Sequence, residues 1–218
     1  MIFQAYPQDN GVHYQTFFFH GIEGDYSPNS DKFYGCAPYP LEQVEMRWEI
    51  AANSQDFTGD LMTYDRWFNC AFVAWADDDG KHHRFYYDLP DTSKVVEVDL
   101  PPDYFSSLTS THSFTWGDAP WDHVTFYGGK KEQYKGVLRR LKIFTTALSI
   151  EDATAEAQSD EVVSLAGAMS TWYLNANPRP DDLTDKSGNG NDFRWYEPEN
   201  TASLWTSEPP SESANSKT

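Results

Sequence analysis

The sequence predicts an all-β protein: an antiparallel β-sandwich of the jelly-roll type with one short helix. Short strand-like segments recur along the chain with turn signals between them. Aromatic residues make up 16% of the 218 residues, and such residues favour sheets. Because this length suits one large all-β domain, we expect a single domain over residues 1–205, followed by a Ser/Pro/Glu-rich linker over residues 206–218.

Nine segments have the length and composition of strands. They are residues 12–22, 43–52, 66–76, 82–89, 94–100, 112–117, 123–128, 136–144 and 168–175. The turn ADDDGK, which joins the third segment to the fourth, is the clearest hairpin signal, because Asp-Gly supplies the positive φ that tight turns require. Residues 66–76 and 82–89 are therefore expected to pair antiparallel.

The strand over residues 136–144 belongs to a basic region. Six of the chain's 16 basic residues fall between positions 130 and 142, a cluster that could attract an anionic polysaccharide or protect a solvated edge strand. Strand alternation places Arg139 on the side of Leu141 and Ile143, so we expect a bulge near residues 139–140.

One helix is expected over residues 149–158. Ser149 can accept a hydrogen bond from the backbone N–H of Asp152, and the acidic side chains of the first turn favour the positive end of the helix dipole. Ala153 and Ala157 would then face inward.

Bulk charge and cysteine content exclude several classes. The formal net charge is -18, so most of the surface would repel a phosphate backbone, and we expect no nucleic-acid partner. No stretch approaches the roughly 20 apolar residues of a membrane span, so we expect no membrane insertion. Alternation puts Cys70 beside Phe68 and Phe72, which favours a buried thiol over the alternative, a Cys36–Cys70 bond.

Three motifs carry a family resemblance. They are the strand, turn and helix start over residues 136–152 (Gly136, Leu138, Leu141, Ile143, Phe144, Ala147, Leu148, Ser149, Asp152), a core strand (Trp67, Ala71, Phe72, Val73), and DLTDKSGNGNDF at residues 182–193. Together they resemble the laminin-G-like jelly rolls of the concanavalin A-like lectin/glucanase superfamily. In that family the S-G-N-G-N turn normally follows the first strand, so we expect a permuted domain in which residues 168–196 add a strand. A truncated second module is the alternative.

The resemblance implies an extracellular carbohydrate-binding domain, secreted or on a cell surface, within a larger polysaccharide-processing protein. We expect an acidic polysaccharide as the ligand. Aromatic rings would stack on sugar faces and polar groups would bind hydroxyls. One strand offers a charged row at Glu45, Arg47 and Glu49, which could instead be a solvated face with Arg47 paired to both carboxylates. Tyr64, Arg66 and Trp116 complete the predicted ligand-binding set.

An enzyme is the second hypothesis. His82, Arg84 and Tyr86 share one strand face, and a polysaccharide lyase needs a cation beside the uronate carboxylate together with a His or Tyr that moves the proton α to it. The alternative for this face is a polar surface without a ligand. An adhesion module is the third hypothesis, and the sequence leaves the choice between binding and catalysis open.

Residues 182–193 group oxygen donors around two glycines. The predicted metal ligands are Asp182, Asp185, Asn189, Asn191 and Asp192. Such donors suit Ca²⁺, although an EF-hand is excluded because its twelfth position would be Tyr196. A structural Ca²⁺ is one alternative, and a plain Asx and glycine turn is the other.

Overall fold

The computed structural model describes residues 1–8, 15–21, 33–37, 45–50, 53–58, 62–100, 113–117, 134, 136–160, 168–172 and 183–193. The side chains of residues 15, 19–21, 33–37, 45–50, 53–58, 100, 113–115 and 168–172 lie outside that description. No helix within these ranges is long and apolar enough to cross a membrane.

Eleven strands and one helix are described. In chain order they are β1 (Ile2–Pro7), β2 (Gln15–Gly21), β3 (Phe33–Ala37), β4 (Glu45–Ile50), β5 (Asn53–Thr58), β6 (Phe68–Ala76), β7 (Lys81–Tyr86), β8 (Val95–Leu100), β9 (Ser113–Trp116), β10 (Gly136–Phe144), α1 (Ile150–Gln158) and β11 (Ala168–Trp172). They form a six-stranded sheet in the order β11-β10-β1-β6-β7-β8 and a five-stranded sheet in the order β5-β4-β3-β2-β9. Every pair is antiparallel, as the sequence predicted.

The predicted strands are found with shifted ends, except that residues 123–128 lie outside the described ranges. The hairpin of β6 and β7 is confirmed, with Trp75 opposite His82. Strands β1, β3 and β5 were not predicted. Strand β1 lies between β10 and β6 and is buried at every position, so it lacks the polar and apolar alternation that marks a half-buried strand.

Aromatic rings of both sheets meet in the core. The rings of Phe3 in β1 and Phe17 in β2 lie 5.4 Å apart, and those of Phe72 in β6 and Phe18 in β2 lie 5.7 Å apart. Trp116 of β9 meets Phe3 edge to face at 4.8 Å. These contacts join the buried face of the six-stranded sheet to β2 and β9 of the other sheet.

The bulge predicted in β10 is present. The register between β1 and β10 shifts between Ile2 and Gln4, and Arg140 has a φ of +57°. As a result, two successive arginines reach one acceptor: Nε of Arg139 and NH1 of Arg140 donate to Oε1 of Gln4 at 2.9 and 2.7 Å.

Helix α1 begins as predicted. The Ser149 hydroxyl oxygen accepts from the Asp152 backbone N–H at 3.0 Å. Ala153 and Ala157 are buried in a cluster with Ile2 and Ala71, so the helix packs on the six-stranded sheet. Ile2 and Ala71 are next to the core residues Phe3 and Cys70 in sequence, so they point to the opposite face of the sheet. The helix therefore covers the outer face of this sheet.

The end of α1 is held by a buried lysine from β10. Lys142, whose side chain is fully buried, donates from Nζ to Oε2 of Glu156 at 2.6 Å, and to the backbone carbonyls of Glu156 and Ser159 at 2.8 and 3.2 Å. The last carbonyls of a helix have no partner within it. Lys142 therefore both pairs a charge and caps the helix.

The structure also tests the predictions for Cys70 and for residues 168–172. Cys70 is a free, buried thiol whose pKa is raised, first by burial and then by the negative charge of Asp88. The Cys36–Cys70 bond therefore does not form. Residues 168–172 supply β11 beside β10, so this segment does add a strand to the six-stranded sheet. Permutation relative to the laminin-G-like pattern stays a prediction.

Candidate functional site

An exposed tryptophan stands on the outer face of the six-stranded sheet, beyond the part that α1 covers. Trp75 is 42% exposed, and it is the one exposed large hydrophobic side chain in the described ranges. Its ring stacks on that of His82 at 4.9 Å with 21° between the planes, and the Arg84 guanidinium carbon lies 5.3 Å from its centroid. Because both contacts are with β7, the indole leans over that strand.

His82 is held between two carboxylates. Its Nδ1 lies 2.8 Å from Oδ1 of Asp99, and its Nε2 lies 3.1 Å from Oδ1 of Asp77. The hydrogen bond with Asp99 and then that with Asp77 raise the pKa of His82. Only the imidazolium can donate from both ring nitrogens, so this geometry favours the protonated ring.

Arg84 is paired from β8. Its NH1 donates to Oδ1 of Asp99 at 2.8 Å, its NH2 donates to Oδ2 at 3.3 Å, and its Nε lies 3.1 Å from Oε1 of Glu97. The Arg84 and His82 hydrogen bonds lower the pKa of Asp99 to about 2. Asp99 therefore stays ionised and ties both cations to the edge strand.

The cations and the carboxylates differ in depth. The side chains of His82 and Arg84 are 16% and 15% exposed, whereas those of Asp77, Glu97 and Asp99 are 49%, 55% and 57% exposed. A molecule that approaches this surface therefore meets an indole plane and carboxylate oxygens first. We call these six residues the Trp75 surface.

The structure brings together part of the predicted lyase trio. His82 and Arg84 converge on Asp99. Tyr86 instead packs beside the cluster that α1 covers, with Ile2 and others. In the doubly donating imidazolium form that this geometry favours, His82 has no lone pair with which to accept a proton.

The remaining predicted ligand-binding residues are dispersed. Arg66 pairs with Asp88 and lies 4.3 Å above the Phe68 ring. The Tyr64 hydroxyl is buried, and Trp116 contacts the core ring Phe3. Glu45, Arg47 and Glu49 lie in β4 of the other sheet, between β3 and β5, and their side chains are outside the described part.

The predicted basic cluster does not form an exposed edge where it is described. Arg139, Arg140 and Lys142 are all buried. Arg140 forms a two-point ion pair with Asp160 at 2.7 and 2.9 Å, and the Arg139 guanidinium lies 4.0 Å above the Trp67 ring. These cations are therefore paired inside the fold and do not face solvent. Lys130, Lys131 and Lys135 lie outside the described residues.

The predicted calcium loop is a network of Asx turns where it is described. Oδ1 of Asp185 accepts from the Ser187 backbone N–H at 2.9 Å, and its Oδ2 accepts from the Ser187 hydroxyl and the Asn191 N–H at 2.8 and 3.2 Å. Asp192 accepts from the Asp185 N–H at 2.8 Å, while Asn189 donates to the Ser187 hydroxyl. These contacts are those of the plain Asx and glycine turn that was the alternative to a calcium site.

No group of three His, Cys, Asp or Glu side chains that could hold a metal occurs among the described residues. Asp182 lies outside them. The calcium site stays a prediction.

Four residues of the Trp75 surface were not predicted from the sequence: Trp75, Asp77, Glu97 and Asp99. The sequence did indicate that Trp75 is exposed, because alternation along β6 places it on the opposite face from the core residues Cys70 and Phe72. The two aspartates had no comparable signal, since their roles depend on the hairpin register and on the pairing of β7 with β8, where His82 lies opposite Asp99.

Comparisons in sequence identify no family: no protein-family model matches the chain, and no curated protein matches it. Solved structures do match in three dimensions. One is full-length tailspike protein 2 (TSP2, ORF211) from Escherichia coli O157:H7 bacteriophage CAB120, with a TM-score of 0.50 and 13% identity over 79% of this chain and 23% of that chain.

Another is the enzymatically active domain of bacteriophage CBA120 tailspike protein 2, with a TM-score of 0.51 and 12% identity over 79% of this chain and 26% of that chain. This chain thus spans about a quarter of the length of the proteins it matches. At such low identity the likeness shows a shared fold alone.

Two neighbouring histidines of β7 give opposite pH effects on stability. Burial lowers the pKa of His83 to about 4, so between its ordinary value near 6.5 and 4 the unfolded state binds more protons and stability falls as the pH falls. For His82 the pKa is raised, so its stabilising ion pairs are complete below about 6.5 and are lost as the pH rises through the raised value. We expect maximal stability near pH 6.5.

Urea unfolding between pH 4 and pH 9 checks this expectation. His83→Phe keeps a ring beside Phe72. It should reduce the acid-side loss in the free energy of unfolding by about 2 kcal/mol, because the partly buried ring no longer titrates. His82→Gln should flatten the alkaline side, while the acid-side loss that comes from burial of His83 should persist. Identical pH profiles for both variants and the parent chain would contradict the assignment.

Proposed function

We propose that this chain is a carbohydrate-binding domain and that it binds glycans at the Trp75 surface. The observation that carries the proposal is the exposed indole of Trp75, which stacks on His82, whose two ring nitrogens bind exposed carboxylates. An exposed ring is costly to leave in water, and it offers an apolar plane for a sugar face. The carboxylates beside it can accept hydrogen bonds from sugar hydroxyls.

The architecture supports this proposal. Two antiparallel sheets with shared core rings are compatible with the predicted jelly-roll sandwich, a fold that holds ligands on sheet faces and at rims. The solved structures with the same fold include an enzymatically active domain of a phage tailspike protein. The proposal extends to a domain that acts outside the cell as one part of a larger polysaccharide-processing protein.

Binding is favoured over catalysis by the state of the predicted trio. Neither nitrogen of His82 is placed to take a proton, and Tyr86 packs towards the helix cluster instead of standing beside His82. A lyase would need a proton acceptor and a neutralising cation in one cleft, and the cation Arg84 is already paired with two carboxylates.

Replacement of the indole tests the proposal. We expect Trp75→Ala to weaken the affinity for a bound glycan by about tenfold or more. A central stacked aromatic ring commonly contributes above about 1.4 kcal/mol to binding. Trp75→Phe should lose less, since a smaller ring remains. Isothermal titration calorimetry measures both affinities, and circular dichroism checks that the variants are folded.

Glu151→Gln is a suitable control, because Glu151 is exposed in the first turn of α1 and should bind as the parent chain does. Equal affinity of Trp75→Ala and the parent chain would place the binding site elsewhere.

A further inference from the structure

The charges of the Trp75 surface are layered. The two cations are covered, and three carboxylates stand outward at about half exposure. The adjoining turn adds Asp78 and Asp79, which are both exposed. At physiological salt charges interact within about 8 Å, so the face that meets a ligand is negative around its apolar centre.

The donors of Arg84 are largely used within the protein. NH1 donates to the backbone carbonyl of His83 at 2.9 Å as well as to Asp99, while NH2 binds Asp99 and Nε faces Glu97. A guanidinium has five N–H groups. Four of these five donate within the protein, so a ligand carboxylate or sulfate could accept at most one hydrogen bond from Arg84 unless it displaced an existing ion pair. Both ring nitrogens of His82 are engaged with carboxylates.

We infer, on the basis of the proposed function, that the Trp75 surface selects uncharged glycans and rejects acidic ones. The indole accepts a sugar face, and the outward oxygens of Asp77, Glu97 and Asp99 accept hydrogen bonds from hydroxyl groups. A uronate or sulfate group in the same position would meet like charge, with at most one N–H of Arg84 left to pair with it. The ligand class is thus opposite to the acidic polysaccharide that the sequence led us to expect.

The test is a glycan array that carries matched pairs, each a neutral oligosaccharide beside its uronate-containing or sulfated counterpart, probed with the full chain. We expect the bound members to be neutral, with acidic counterparts at least about tenfold weaker, equivalent to about 1.4 kcal/mol. Affinity for the neutral members should stay constant between about 50 and about 500 mM salt, because no ion pair with the ligand is formed.

A charge variant sharpens the test. Glu97→Gln keeps an oxygen that can accept from Arg84 but removes one outward charge, so the affinity for acidic counterparts should rise by about two- to fivefold relative to neutral ones. Preference for acidic members, equal binding of both forms, or no relative change in Glu97→Gln would overturn the inference.

The outcomes separate the inference from the proposed function. Acidic glycans that bind through Trp75, so that Trp75→Ala releases them, would overturn only the selectivity. If no member of the array binds, or if Trp75→Ala leaves the affinity unchanged, the proposed function fails and the inference fails with it.

Discussion

Gly136→Ala is expected to destabilise the protein by about 3–5 kcal/mol. Gly136 opens β10 with a φ of +128°, and a Cβ built on it would lie 2.0 Å from the backbone carbonyl oxygen of Tyr6. That oxygen belongs to the neighbouring strand β1, so the clash can be relieved only by a shift of one strand against the other. Urea unfolding measures the change.

Gly188→Ala is the matched control for this prediction. Gly188 has a φ of +84°, but no atom lies within 4 Å of the position that its Cβ would take. The control therefore carries the cost of an unfavourable backbone conformation alone, about 1 kcal/mol. If both variants lose the same stability, the close approach of β1 and β10 at Gly136 is not the cause.

Lys142→Met is the second large effect, with an expected loss of about 3–5 kcal/mol. The substitution leaves the carboxylate of Glu156 without its buried cation, and it leaves the carbonyls of Glu156 and Ser159 without the Nζ donor. Because the Met side chain has a volume similar to that of Lys and is apolar, little of the loss in stability comes from packing. Chemical unfolding, followed by helix circular dichroism, measures the loss and the fraying of α1.

Lys94→Met serves as the control, since Lys94 is only half-buried and an isolated surface charge contributes about 1 kcal/mol or less. The double variant Lys142→Met with Glu156→Gln should recover part of the loss, because it removes the unpaired buried charge. An equal loss in Lys142→Met and Lys94→Met would refute the capping role of Lys142.

Local sequence signals predicted the elements that depend on local physics. The β6–β7 hairpin followed from one Asp-Gly turn, α1 from its Ser149 cap, and the β10 bulge from the wrong phase of Arg139. Strand β1 escaped prediction because its position between β10 and β6 buries both faces. Only the tertiary arrangement determines that burial.

The part of the candidate site that depends on local alternation was predicted, and the part that depends on strand pairing was not. His82 and Arg84 share a face by simple alternation, which the sequence displays. Their charge state, however, depends on Asp99, which reaches them across the pairing of β7 and β8, seventeen residues from His82. Counting cations along the chain therefore suggested an acidic ligand, whereas the paired carboxylates reverse the sign of the exposed charge.

Under the proposed function, the position of α1 limits the width of sheet that a sugar can contact at once. The helix covers the outer face at β1 and at Ala71 of β6, so the accessible part beside Trp75 spans the remainder of β6 together with β7 and β8, about 10 Å across at the usual spacing between strands. Under the proposed function, a footprint of this width would engage a short run of sugar units and would give modest affinity per site. Retention on a polymer would then come from rebinding, because repeated copies of the epitope raise the local concentration of sites around a released domain.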